Sequence, residues 1–217
     1  MKTKLVIVES PSKSKTIEQY LGNEYIVLSS KGHIRDLAIS GTGGLGLDIE
    51  NNFTPKYEII KEKKQVVKEL KTALKGIKEI YLATDPDREG EAISWHLKEV
   101  LDLEGIPTKR VIFNEITKTA VIKAFEEPRD IDLGLVSSQE TRRILDRIIG
   151  FKLSKLLQNK IKSKSAGRVQ SATLKIIVDR EKEIDEFIED EFWKVKAKFQ
   201  NFTSELLKYK DKNIVLK

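Results

Sequence analysis

The first half of the chain alternates short apolar runs with segments in which apolar residues recur every three or four positions. The apolar runs lie at 5–8, 25–29, 77–84 and 110–113. Short continuous runs of this kind are typical of strands that are buried on both faces. The segments at 64–75 and 92–101 each carry one apolar face, which predicts amphipathic helices. The alternation continues to Pro128 and predicts an α/β fold, a mainly parallel sheet flanked by helices.

The pattern changes after Pro128, where helical periodicity continues to about Ile188 without an intervening strand. From residue 195 onwards apolar residues alternate with lysines, which predicts a half-exposed strand. Two more short apolar runs, at 206–207 and 214–216, predict further strands. We therefore predict an α/β domain over residues 1–127, a helical segment over 128–189 and the beginning of a β-rich domain over 190–217.

The charge of the chain is unevenly distributed. The net charge is +6 overall, but twelve Lys and Arg residues against three Asp and Glu residues lie between Thr141 and Lys182. Such a basic segment suits binding to a polyanion, although a solvated lysine-rich surface is the alternative. The absence of cysteine excludes disulfides and thiolate metal sites. No apolar run approaches the length of a membrane span, so we expect a cytoplasmic protein with no membrane partner.

Three acidic residues, Asp85, Asp87 and Glu89, follow the apolar run at 77–84 and precede a predicted helix. Because they stand at every second position, an extended loop would direct all three carboxylates to one side. Mg²⁺ typically binds one or two carboxylates and shares its other positions with water and substrate phosphates. The alternative is that these acids only complement the positive end of the helix.

Other polar residues lie where they could join this acidic group. Glu9 follows the run at 5–8, and ligands of open α/β sheets bind beyond the carboxyl ends of the strands. Lys13 lies in the next turn, where it could face a phosphate. His33 and Asp36 occupy a polar loop, in which a hydrogen-bonded pair is possible, but a lone histidine is more often structural.

A second set of candidate residues lies in the basic segment. The spacing of Arg143, Asp146 and Arg147 puts them on one helix face, where the aspartate could hold the arginine side chains in place. The polar loop at 163–171 precedes another predicted helix and contains Arg168 and Gln170. Amide groups at a helix start, next to an arginine, suit a backbone phosphate. A surface capping loop is the alternative.

The order of these motifs resembles that of the bacterial type IA DNA topoisomerases over essentially the whole chain. The matching motifs lie at 5–11, 32–37, 85–97, 113–117, 142–147 and 165–171. An ordered set of six motifs is far more specific than any one of them. The resemblance implies that the first domain is a Toprim domain, the helical segment binds DNA and the last strands begin an arch-like domain.

The resemblance also implies roles for individual residues. Glu9, Lys13 and His33 would belong to the catalytic site, with Glu9 assisting proton transfer at the sugar hydroxyl. Asp85 and Asp87 would bind Mg²⁺ with Glu9, and Glu89 would support them. The residues implied to contact single-stranded DNA, or to hold such contacts, are Arg143, Asp146, Arg147, Arg168 and Gln170.

The implied activity is relaxation of negatively supercoiled DNA, in which a single-stranded segment is cleaved through a 5′-phosphotyrosine. In the family that tyrosine lies in a domain beyond the residues matched here, and none of the five tyrosines fits its motif. We therefore expect an N-terminal part of a topoisomerase that is monomeric, has no nucleophile and is inactive alone. The alternatives are a non-catalytic module for single-stranded DNA and another Toprim enzyme, such as a primase or nuclease.

Overall fold

The computed structural model describes residues 2–162, 165–209 and 212–213. The chain divides into two compact units, Met1–Gly167 and Arg168–Lys217. In chain order the first unit contains β1 (Lys4–Val8), α1 (Pro11–Leu21), β2 (Tyr25–Ser29), β3 (Arg35–Leu37), β4 (Leu47–Asp48), β5 (Thr54–Pro55), β6 (Tyr57–Ile59), α2 (Lys64–Ala73), β7 (Glu79–Ala83), α3 (Arg88–Leu101), β8 (Thr108–Arg110), α4 (Lys118–Glu126) and α5 (Leu133–Ile161). The second contains α6 (Arg168–Asp185), β9 (Lys196–Lys198), β10 (Thr203–Glu205), β11 (Lys208–Tyr209) and β12 (Lys212–Asn213).

A four-stranded parallel sheet in the order β2-β1-β7-β8 forms the centre of the first unit. Leu5 and Ile7 of β1 pack with α2 and α3 on one face of the sheet. Val6 and Val8 pack with α1 and α4 on the other face. All four side chains are fully buried, which explains why the run is apolar at every position rather than at every second one. The predicted parallel sheet flanked by helices is thus confirmed.

Two predicted strands differ in position from the observed ones. The run at 110–113 was expected to be a strand, but β8 spans Thr108–Arg110, and the Arg110 backbone also pairs with Arg129 on its other side. In the second unit the strand expected at 206–207 lies at Lys208–Tyr209 and pairs with β12. The strand predicted at 214–216 lies outside the described residues. The predicted domain limits after residues 127 and 189 stay predictions, since compact units and family domains need not coincide.

Helix α5 is less buried than its periodicity predicts. Val136 is buried, and Ile144 and Ile148 pack against Leu37 and its neighbours, but Leu145 is exposed. None of the helices in the described part of the chain is long and apolar enough to cross a membrane.

A buried carboxylate at the start of α3 connects the sheet to α5. Glu91 is only 1% exposed and accepts hydrogen bonds from two arginines and one backbone amide. The donors are Arg110 Nε at 3.1 Å, Arg129 Nη1 and Nη2 at 2.9 and 2.8 Å, and the Asp132 amide at 2.7 Å. Because Asp132 is the N-cap of α5, Glu91 fixes the point at which that helix begins.

The guanidinium of Arg110 is fully buried and donates to three backbone carbonyls besides Glu91. Its Nη1 bonds to Leu82 O at 3.0 Å and Val111 O at 2.7 Å, and its Nη2 bonds to Asp85 O at 2.7 Å. Arg110 therefore holds the end of β7 and the loop that follows it. A buried charge is tolerated when it is paired and hydrogen-bonded in this way.

Replacing Glu91 by alanine should destabilise the protein strongly. The substitution leaves Arg110 buried without its counter-charge, and breaking a buried pair costs about 3–5 kcal/mol. Urea unfolding followed by circular dichroism measures the loss. Glu126→Ala, on the exposed side of α4, is the matched control and should change stability by no more than about 0.5 kcal/mol. Equal stability of the two variants would contradict this account of the buried pair.

Candidate active site

The carboxyl ends of β1 and β7 lie next to each other, because Val8 pairs with Ala83 in the parallel ladder. Glu9 directly follows β1, and Asp85 follows β7 after one intervening residue. Lys13, in the first turn of α1, donates from Nζ to Asp85 Oδ1 at 2.5 Å. The structure thus brings together three of the residues that the sequence singled out: Glu9, Lys13 and Asp85.

The environment of Glu9 disfavours its ionised form. Burial is the largest cause of the raised pKa of Glu9, and the negative charges of Asp85 and, more weakly, Asp87 act in the same direction. The Asp85 backbone amide and the Lys13 ammonium oppose this shift without cancelling it. A cation or a bound proton would therefore stabilise the strand ends that carry Glu9, Asp85 and Asp87, here called the acidic corner.

Asp87 and Gly90 determine how α3 begins. Asp87 is the N-cap of α3, and its side chain accepts a hydrogen bond from the Gly90 amide at 2.8 Å. A Cβ at position 90 would lie 2.1 Å from Asp85 O, so only glycine lets the first turn of the helix lie against the Asp85 backbone. Asp87 therefore stabilises the start of the helix, as the alternative interpretation of the acidic residues predicted.

Glu89 lies in a different environment from Asp85. The extended backbone that was expected to align Asp85, Asp87 and Glu89 ends at Asp87, because α3 starts at Arg88. The helical turn directs the Glu89 side chain towards α5. Glu89 accepts from Arg142 Nη1 at 2.7 Å and from Gln139 Nε2 at 3.0 Å, and His33 Nε2 is 3.5 Å away. The three carboxylates expected on one side of a loop thus belong to two separate groups.

The oxygen donors at the strand ends fit a hard cation. Across residues 2–162, 165–209 and 212–213, no three Asp, Glu, His or Cys side chains converge as a metal site. Glu9 and Asp85 nevertheless provide the one or two carboxylates that Mg²⁺ typically requires when water and phosphate complete its coordination. Lys13 now neutralises Asp85, so a metal ion would have to compete with this ammonium group.

Asp36 binds α5 rather than His33. Its carboxylate accepts from Arg143 Nε at 2.8 Å and from Arg143 Nη2, and Arg147 Nη2 lies 3.6 Å away. Burial acts to raise the pKa of Asp36, but the hydrogen bond and charge of Arg143 outweigh it and hold that pKa below its ordinary value. The pairing of His33 with Asp36 that sequence analysis considered is therefore replaced by an Asp36–Arg143 pair.

The other predicted DNA-binding residues lie in unequal environments. Arg147 is 8% exposed and donates to Leu37 O at 3.1 Å, with Phe151 beneath its guanidinium at 5.2 Å. Asp146 Oδ2 lies 3.7 Å from Arg142 Nε. Arg168 and Gln170 are exposed in the first turn of α6, in the second unit. Arg142 was not among the site residues predicted from the sequence, although it shares a motif with Arg143; it lies between Glu89 and Asp146.

A cavity of about 200 Å³ lies beside Glu89. Its lining residues are His33, Arg35, Asp36, Tyr57, Ile60, Glu89, His96, Gln139, Arg142 and Arg143. His96 is buried, and mainly for that reason its pKa is lowered to about 3. Its neutral ring accepts a hydrogen bond from Arg35 Nε at Nδ1. His96 was not predicted as a site residue. The sequence indicated it only by placing a polar residue among the buried positions of α3.

A larger groove of about 1040 Å³ runs along α5. Arg143, Arg147, Lys152 and Lys155 line it together with the exposed ring of Phe151. Cationic side chains along a groove, interrupted by an aromatic ring, are typical of surfaces that bind single-stranded nucleic acid.

Replacing Glu9 by glutamine should stabilise the metal-free protein at neutral pH. The raised pKa means that the folded state holds this proton more tightly than the unfolded chain, so the stability it contributes is lost as pH rises from the ordinary value of 4.5 through the folded value. Glu9→Gln should melt at a higher temperature than the wild type at about pH 7, with the difference disappearing near about pH 4. The control Glu126→Gln should show no such pH-dependent gain. A lower melting temperature for Glu9→Gln at neutral pH would contradict the raised pKa of Glu9.

Comparison with known proteins gives two family matches and a structural one. Residues 4–116 match the model of the Toprim domain, and residues 130–216 match the model described as DNA topoisomerase. The fold is similar to the structure of full-length topoisomerase I from Thermotoga maritima, with a TM-score of 0.72 and 45% sequence identity. That alignment covers 96% of this chain and 35% of the Thermotoga protein, so the chain spans about a third of that relative's length.

Proposed function

Because this chain belongs to the bacterial type IA DNA topoisomerase family, we propose that it forms the Mg²⁺-binding and DNA-binding part of an enzyme that relaxes negatively supercoiled DNA. The enzyme would open one strand transiently through a 5′-phosphotyrosine. We further propose the division into a Toprim domain over 1–127, a helical DNA-binding segment over 128–189 and the beginning of a β-rich arch domain over 190–217. The protein would act as a monomer in the cytoplasm.

The main support is the position of the acidic corner next to the basic helix. Glu9 and Asp85 lie at the strand ends, and in the first turn of α3 Glu89 binds Arg142 of α5 at 2.7 Å. A strand bound along α5 would therefore pass close to the carboxylates and to Lys13. Such proximity is required for a phosphodiester reaction, because the acid, the cation and the scissile phosphate must meet.

Each residue of the acidic corner has a role in this proposal. When the tyrosine oxygen bonds to phosphorus, the bond from phosphorus to the sugar 3′ oxygen breaks, and that oxygen requires a proton. The raised pKa of Glu9 suits the delivery and later removal of this proton. Lys13 would move from Asp85 to the phosphate. Glu9, Asp85 and Asp87 would bind Mg²⁺ and Glu89 would support them; the bound ion would supply neutralisation of charge on the phosphate.

The basic face would bind the single-stranded segment of the DNA. Arg143 keeps unused N–H groups while it binds Asp36, so it could bind a phosphate without leaving its partner. Arg147 would act mainly by holding α5 against the Asp36 loop, and Asp146 by orienting Arg142. Arg168 and Gln170 would add contacts from the second unit. His33 would position Glu89.

The tyrosines of this chain are poor candidates for the nucleophile. Tyr57 reaches the cavity beside Glu89, but its hydroxyl donates to Glu140 at 3.0 Å and burial raises its pKa well above the ordinary value. Burial raises the pKa of Tyr81 to about 12, and its hydroxyl donates to Glu79 at 2.9 Å. Tyr25 packs against Tyr81 and Phe125. We therefore propose that these 217 residues alone do not cleave DNA.

Two other functions fit less of the chain. A Toprim primase or nuclease would share the acidic corner, but it would not explain the DNA topoisomerase match over residues 130–216. A non-catalytic module for single-stranded DNA would use α5 and its groove, but would leave the raised pKa of Glu9 and the Lys13–Asp85 pair without a purpose.

Mg²⁺ binding should depend on Asp85. Asp85→Asn removes one of two neighbouring carboxylates, and we expect its Mg²⁺ affinity to fall by about tenfold or more. The rise in melting temperature with added Mg²⁺ measures binding, because a ligand of the folded state stabilises it by mass action. Glu126→Gln removes one charge elsewhere and should respond as the wild type does. Identical Mg²⁺ responses in wild type and Asp85→Asn would exclude Asp85 as a ligand.

The isolated chain should neither relax supercoiled plasmid nor form a covalent adduct with DNA, because Tyr25, Tyr57 and Tyr81 are packed in the core or hydrogen-bonded to carboxylates rather than presented for in-line attack. The assay incubates the chain with plasmid and end-labelled single strands in Mg²⁺, denatures the protein and probes for protein-linked 5′ ends. Full-length Thermotoga maritima topoisomerase I serves as the positive control. An adduct that maps to any of the five tyrosines would overturn the proposal.

A further inference from the structure

We propose that α2 and the turn that follows it carry a second DNA-binding surface, formed by Lys64, Lys68, Lys71 and Lys75, here called the lysine row. Its ligand would be the phosphate backbone of a DNA strand that continues away from the candidate active site. The inference rests on the proposed function, since it assigns a further part of the same DNA to a surface outside α5.

Lys64, Lys68 and Lys71 share one side of α2, and Lys75 lies in the turn that directly follows the helix. Their spacings of four, three and four residues follow the helical repeat, and all four line a shallow groove of about 420 Å³. At a rise of about 1.5 Å per residue the three helical lysines span roughly 10 Å and Lys75 lengthens the row, which leaves room for more than one phosphate. Elsewhere around α2, Val66 and Leu70 are buried in the core, and the buried Val67 forms part of the groove's floor beside the lysines.

The lysine row also lacks acidic partners. None of its four ammonium groups forms an ion pair with any residue in the described ranges of the chain. On α6, by contrast, Lys175 pairs with Asp179 at 2.6 Å and Arg180 with Glu183 at 2.7 Å. Segment 61–78 contains seven lysines and only two glutamates. Uncompensated like charges on a fixed helix create the local positive potential that attracts a polyanion.

The lysine row begins at the edge of the candidate active site. Ile60 lines the same cavity as His33 and Glu89, and the chain then passes through one short turn, Lys61–Lys63, into α2. Lys63 Nζ donates to Lys31 O, which ties the start of the helix to the loop that precedes His33. This continuity favours DNA over an anionic membrane, because a strand in the site would reach the row without leaving the protein surface.

Salt-dependent binding of single-stranded DNA tests the proposal. The row variant carries Lys64→Gln, Lys68→Gln, Lys71→Gln and Lys75→Gln, since glutamine keeps helix propensity and removes only the charge. The control variant carries Lys56→Gln, Lys98→Gln, Lys118→Gln and Lys123→Gln, four exposed lysines outside the row, and has the same net charge. Fluorescence anisotropy is measured with labelled strands of about 8 and about 30 nucleotides across a range of salt concentrations. Melting temperatures verify that both variants fold.

The row variant should bind the long strand at least about tenfold more weakly than the control variant, with the salt slope reduced by about 0.7 for each lost phosphate contact. Both variants should bind the short strand alike, because that strand fits the groove on α5.

Equal binding of the long strand by the two variants would overturn the lysine row while leaving the proposed function intact. Absence of salt-dependent binding in the wild type, or Arg143→Ala binding like the wild type, would instead count against the proposed DNA face itself. Loss of binding to phosphatidylserine vesicles in the row variant, with DNA binding unchanged, would overturn the assignment in favour of a membrane surface.

Discussion

The buried pair of Glu91 and Arg110 is the interaction on which the site geometry depends. Arg110 binds the carbonyls of Leu82 and Asp85, and Glu91 binds the amide of Asp132 that caps α5. Two charges removed from water would be costly if either had an unfilled hydrogen-bonding position. Here the donors and acceptors are matched, so the cost is offset and the loop after β7 and the start of α5 are held by the same two side chains.

The acidic motif divides its charges between two tasks. Asp85 and Glu9 lie close together at the strand ends, where burial and the charge of Asp85 raise the pKa of Glu9 and Lys13 compensates only in part. Glu89 instead accepts a hydrogen bond from Arg142 of α5, and Glu91 accepts one from the Asp132 amide at the start of α5. The carboxylates of Glu9 and Asp85 are thus available to a cationic ligand, whereas those of Glu89 and Glu91 stabilise the fold.

The basic residues show a similar division. Arg147 lies nearly buried and serves the contact between α5 and β3, whereas Arg143 is half-exposed and binds Asp36 through part of its guanidinium. On α6 Lys175 and Arg180 bind acids within the helix, whereas the lysines of α2 form no ion pair with any acid in the described part of the chain. Net charge per segment is therefore a poor guide to which surface attracts a polyanion, because local pairing decides how much of that charge remains uncompensated.

Periodicity and motif order were sufficient to predict the parallel sheet, the helices around it, the family and the meeting of Glu9 with Asp85. These features depend on short-range patterns and on the rule that parallel strands end at a common edge. The partners of Glu89, Asp36 and Arg147 could not be predicted, because each contact joins residues between 50 and 110 positions apart. The backbone bridge between Arg110 and Arg129 likewise joins residues that are distant in sequence. Only the packing of α3 and β3 against α5 decides which of several equally polar side chains accepts a hydrogen bond from a given donor, and the sequence alone does not specify that packing.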